Sequence, residues 1–136
     1  MKNLSRIVSW ILSILLAFAF VAIGTSKLVG PSAVHWGERF QHWGYPTGSH
    51  YVIGILEIVA GIAMLIPRWR RMAAATLMII MMGALCTHAL HGEWARVIPP
   101  VVLGSLAFAS AHWSGSRQSG VSSSGAASDI SSNVQA

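Results

Sequence analysis

Residues 51–67 read YVIGILEIVAGIAMLIP, an apolar run interrupted by one charge, Glu57. As a helix, this run places the Glu57 carboxylate about 9 Å below its first residue, at 1.5 Å rise per residue. An isolated charge at membrane depth costs on the order of 2.5–3.5 kcal/mol even on the lenient insertion scales, so it must face protein or a wet cavity, usually beside a partner. Gly54 and Gly61 stand three and four residues from Glu57, which puts all three on one helix face. Small residues on that face let a neighbouring helix come close. The stretch therefore predicts a buried helix seam with a carboxylate in it.

The rest of the composition agrees. Apolar residues make up 54% of the chain and charged residues only 10%, far too few to cover the surface of a soluble domain of this size. Long apolar runs make this an integral membrane protein with the lipid bilayer as its main environment. The net charge of +5 then reads as a topology signal. Its basic residues are scattered over loops, which excludes nucleic acid as a partner. The single cysteine, Cys86, has no internal mate for a disulfide and reads as a small buried apolar residue.

Working outward, residues 7–26 form an uncharged run about 30 Å long as a helix, preceded by Lys2 and Arg6. That is longer than the apolar core of a signal peptide, so a first spanning helix is expected, with Ala17, Phe20, Gly24 and Lys27 on its packing face. Residues 31–46 differ in kind. Trp36, Phe40 and Trp43 recur at helical spacing with polar residues between them, the pattern of a short amphipathic helix in the interface. Ser32 is its expected N-cap. Residues 51–67, 72–90 and 97–113 give three further spans, the last with Pro99 and Pro100 tolerated in its first turn. Residues 114–136 are rich in serine and poor in large apolar side chains, and are expected to be a disordered tail. The tryptophans cluster near the ends of the runs, as an interfacial belt does.

The basic residues orient the bundle. Lys2, Arg6, Arg68, Arg70, Arg71 and Arg117 fall on one side, and Lys27, Arg39 and Arg96 on the other. The positive-inside rule places both termini in the cytoplasm. Lys27, Glu57 and His88 then reach similar depth in the outer third of the bilayer, on three different helices. One reading of this cluster is an ion pair, Lys27 with Glu57, that locks two helices together. The other is a binding or proton-handling site, because intramembrane ionisable groups are functional by default. His88 and His91, near a helix C-terminus, suit a capping role. With Glu57 they make only a sparse ligand pattern, and no metal is expected.

At these residues the chain resembles the DoxX-like family of small four-helix membrane proteins. The resemblance is carried by Gly24-Thr25-Ser26-Lys27-Leu28, by Trp43-Gly44-Tyr45-Pro46, by Gly54-Ile55-Leu56-Glu57 with Gly61 and Pro67, and by Ala84 to His88 followed by Pro99-Pro100. It covers about residues 7–113. It implies that the family's lysine, glutamate and histidine map onto Lys27, Glu57 and His88. Some relatives belong to a thiosulfate–quinone oxidoreductase, and others associate with membrane redox or detoxification systems.

The expectation is therefore an all-α transmembrane four-helix bundle over residues 1–113, with a short interfacial helix between helices 1 and 2, in the inner (cell) membrane. Its expected role is an accessory or small-molecule-binding subunit in membrane redox metabolism, touching a redox partner protein or quinone. No resident cofactor motif is present. The rival expectations are a small proton-coupled transporter and a structural membrane partner without chemistry of its own.

Overall fold

The computed structural model describes residues 2–115; the serine-rich tail lies outside the described residues. Those residues form five α-helices, with no strand among them: α1 (Lys2–Leu28), α2 (Gly30–His42), α3 (Ser49–Ala63), α4 (Arg70–Leu90) and α5 (Ile98–Gly115). A 3-10 turn at Trp94–Arg96 precedes α5. Three stretches are long and apolar enough to cross a membrane: Arg6–Leu28, Arg70–Leu90 and Trp94–His112. The fourth apolar helix, α3, holds 15 residues and is about 22 Å long. It ends earlier than the apolar run suggests because the chain breaks into turns from Met64 to Trp69, around Pro67.

The molecule is built from two helix pairs, α1 with α3 and α4 with α5, joined by lighter α3–α4 and α1–α5 contacts; α2 lies over the ends of α1 and α3. The seam expected from Gly54, Glu57 and Gly61 faces α1. A Cβ on Gly24 would stand 2.6 Å from the Gly54 carbonyl oxygen, and one on Gly54 would stand 2.9 Å from the Gly24 carbonyl oxygen. These distances leave no room for a side chain, so the two glycines set how closely the helices cross. Ala17, Phe20, Gly24 and Lys27 are all buried along this seam.

The close-packed core lies toward the end away from α2. Leu16 and Phe20 of α1 meet Ala60 and Met64 at the end of α3, Ala74, Leu77 and Met81 of α4, and Ala107 of α5. Large side chains from α1 and α4 fill the space left by alanines opposite them, the interlocking that dense interiors require. Outward faces are apolar as well: Phe18, Met72 and Ile79 are each more than 70% exposed, which suits lipid and not water. Cys86 also sits on an exposed face. The small side chain that reads as core thus points away from it, a matter of helix phase that an uninterrupted apolar run does not reveal.

The α1–α2 junction differs from expectation at its cap. Helix α2 begins at Gly30, preceded by Val29 with no side-chain cap, so Ser32 lies inside the first turn. Gly30 adopts φ +71°, a left-handed conformation open to glycine. It reverses the chain directly, and Pro31 opens the helix where a missing N–H is harmless.

Candidate functional site: a cavity beneath the α2 cap

Lys27 stands one turn beyond Gly24 on α1, and Glu57 one turn beyond Gly54 on α3. The glycine crossing therefore brings their side chains together: Lys27 Nζ donates to Glu57 Oε2 at 2.5 Å, with the two side chains 6% and 1% exposed. Removing both charges from water costs several kcal/mol per ion, which only a well-made pair offsets. The Lys27 ammonium also lies 4.9 Å from the Trp36 ring centroid, within cation–π range.

This pair forms part of the wall of a cavity of about 820 Å³ lined by residues of all five helices. That volume is within the roughly 300–1,000 Å³ typical of small-molecule sites. Trp36, Phe40 and Trp43 of α2, with Tyr45, make an aromatic wall, while Ile79, Ile80, Met81 and Leu103 make an aliphatic one. Val52, Leu56 and Ile79 line the cavity and are also exposed on the outside of the bundle. The cavity therefore opens sideways between α3 and α4, onto the apolar surface.

His88 lines the same cavity but does not touch the ion pair. Its Nδ1–H donates to Glu93 Oε2 at 2.8 Å. Partial burial pushes the Glu93 carboxyl up, but the His88 hydrogen bond and the charges of Arg39, His88 and Arg96 outweigh it and hold the carboxyl below its ordinary range. His91 does cap the helix end, with Nδ1–H donating to the Thr87 carbonyl at 2.8 Å. Thr87 Oγ1 donates to the Gly83 carbonyl at 2.9 Å. It therefore accepts from the Tyr45 hydroxyl at 2.7 Å, tying the segment after α2 to α4.

The structure brings Lys27, Glu57 and His88 to one cavity, as a directly bonded pair and a separate third group. Trp43, Tyr45 and Arg39 are additional wall groups, and Glu93 is bonded to His88. The Trp-Gly-Tyr-Pro motif flagged Trp43 and Tyr45 without placing them, and Glu93, five residues after His88 in a turn, carries no periodic signal. Arg70 is a further difference. It reads as a loop charge, but it is buried at the start of α4, donating to the Met64 carbonyl at 3.1 Å and Ser9 Oγ at 3.3 Å, with Trp10 at 4.8 Å. Among the described residues, no group of three or more His, Cys, Asp or Glu side chains is placed to hold a metal ion.

Long apolar helices, a lipid-compatible exterior and a buried ion pair beside an apolar cavity define a small helical membrane protein. The chain belongs to the DoxX-like family, whose model matches residues 11–110. No curated protein and no solved structure matches it.

Proposed function

We propose that this protein is an accessory, small-molecule-binding subunit of membrane redox metabolism. Its ligand would be a lipid-soluble compound with a polar head, and the family resemblance suggests a quinone. The cavity carries this reading: it is large enough for a ring system, apolar over most of its wall, and open toward the lipid side. In this reading α1, α3, α4 and α5 cross the inner membrane as a four-helix bundle and α2 lies in the interface. The short α3 is accommodated by local bilayer thinning, a modest cost per ångström of mismatch. The basic asymmetry puts both termini in the cytoplasm and the α2 cap outside.

Lys27 supplies a charged donor to the ligand head, and Glu57 keeps that donor compensated while the cavity is empty. His88, oriented by Glu93, supplies a second polar group on the α4 side. An exporter of cations would need Glu57 free to exchange protons with its cargo, and the Lys27 contact works against that.

Purification in mild detergent followed by mass spectrometry of extracted small molecules tests the reading. A lipid-soluble, oxygen-bearing compound should accompany the wild-type protein near one per chain and be depleted from Leu103→Trp, which puts an indole ring in the cavity where the ligand would lie. Recovery of ordinary phospholipids alone, equally from both proteins, would refute it.

A further inference from the structure

Lys27, Arg39 and Arg96 are the basic residues at the α2 end of the bundle, and all three line the cavity. Lys27 is neutralised by Glu57. Arg39 and Arg96 are not matched in that way: among the described residues, neither guanidinium comes within ion-pair distance of a carboxylate. Arg39 lies over the rings of Trp36 and Trp43, 5.6 and 5.7 Å from their centroids. A ring attracts a guanidinium but offers no lone pairs to its five N–H donors. The place of Arg39 in the last turn of α2 suits the helix dipole, a role that would not sense the charge of a ligand. Arg39 is half-buried and Arg96 exposed, so both keep surface that a ligand can reach.

The two arginines come from different elements, α2 and the 3-10 turn before α5, and they converge. Against the upward push of burial, and behind the His88 hydrogen bond, the charges of both help to lower the Glu93 carboxyl. Glu93 offsets part of their charge, but its bonded partner is His88. On the cavity wall itself three cations face one carboxylate, Glu57, and most other lining residues are apolar. This combination complements a molecule with an anionic head and an apolar body. Guanidinium forks bind carboxylate and phosphate oxygens through paired, charge-assisted hydrogen bonds. A small water-soluble anion would leave the apolar wall unused, and a neutral head would leave both arginines unmatched. With α2 in the interface, the arginines stand where a membrane amphiphile carries its head. A volume of about 820 Å³ is that of a small-molecule site and suits one chain.

We infer that Arg39 and Arg96 form an anion subsite of this cavity, and that it takes a single-chain amphiphile with a carboxylate or phosphate head. The head lies between the two guanidiniums and the chain along the apolar wall. This rests on the binding function proposed above and adds a ligand class to it.

The test compares dodecanoate with dodecanol, which share a chain and differ in the charge of the head. Binding of each radiolabelled probe to the full chain in mild detergent is measured by scintillation proximity, corrected for probe held by empty micelles. The pH is about 8, well above the ordinary carboxylate range. Wild type should prefer the anion by about 10-fold or more, as hydrogen bonds to charged groups allow. Arg39→Gln and Arg96→Gln should each lower that ratio, and the double variant should bring it close to one. The readout is the ratio, so a general loosening of the cavity does not imitate the result. Monododecyl phosphate should displace labelled dodecanoate, and the tighter of the two anions tells a lipid phosphate from a fatty acid as the source. Displacement by inorganic phosphate at the same concentration would show a site with no use for the chain and overturn the inference. A wild-type ratio near one, or a ratio unchanged in the double variant, overturns the subsite and leaves the cavity reading standing. Failure of both probes to bind wild type, or binding undiminished by Leu103→Trp, overturns the cavity reading and this inference with it.

Discussion

The two ends of the bundle each bury a cation, and they do so in different surroundings. At one end Arg70 is held by a backbone carbonyl, a serine hydroxyl and the face of Trp10, beside the packed core of Phe20, Met64 and Leu77. Ser13 and Ser110 bridge α1 and α5 nearby at 3.3 Å. At the other end Lys27 is held by a full carboxylate, and the pair looks onto a large cavity. A dense core around a buried charge leaves it only a packing role. A cavity beside a buried charge leaves room for a second molecule. On the function proposed above, binding belongs to the α2 end and the other end holds the bundle together, although both ends contain the same kinds of residue.

The largest expected effect comes from breaking the charge pair. Lys27→Met or Glu57→Leu alone leaves one buried charge uncompensated and should destabilise the bundle by about 3–5 kcal/mol, while the double variant should recover most of the loss. A double-mutant cycle on detergent-solubilised protein measures the coupling, and coupling near zero would remove the pair from the account. Next comes the seam that positions it. Gly24→Ala forces a methyl group against the Gly54 carbonyl and should cost about 1–3 kcal/mol through overpacking. Unchanged thermal stability would mean the crossing can relax.

At the opposite end Ser9→Ala removes one acceptor of Arg70 and should cost about 1 kcal/mol while leaving ligand binding untouched. Altered ligand affinity in that variant would contradict the separation of the two ends. The smallest effect is acid-dependent and local to the α4–α5 turn. Glu93 is held below its ordinary value of 4.5, so its contacts stabilise the folded state above that value and are lost as pH falls through the lowered one. Amide exchange around residues 88–96 should accelerate across that acid range in wild type, and Glu93→Gln should flatten the dependence.

The α1–α3 seam was legible in the sequence because spacing encodes it. Gly54, Glu57 and Gly61 repeat at the helical period, and Ala17, Phe20, Gly24 and Lys27 supply the matching face. The cavity was not legible, because it is defined by where helices diverge, and no residue type marks the space between them. The amphipathic pattern marked α2 as a short helix without showing that Trp36 and Trp43 line a cavity with the other helices. Tyr45 meets Thr87 across 42 positions of chain, a contact that local periodicity cannot supply. Arg70 was misread for a related reason: an arginine at a helix start looks the same in sequence whether it faces water or folds back onto Ser9.

The central claim is that the Lys27–Glu57 pair both locks α1 to α3 and serves the cavity. The most direct test is the thermal shift produced by a short-tail benzoquinone on wild type and on the Lys27→Met/Glu57→Leu double variant. Ligand at about one hundred times its Kd should stabilise wild type by about 2.7 kcal/mol. The double variant, restored in stability by loss of both charges, should show little or no shift. Equal shifts in the two proteins would contradict the claim and reduce the pair to a structural lock.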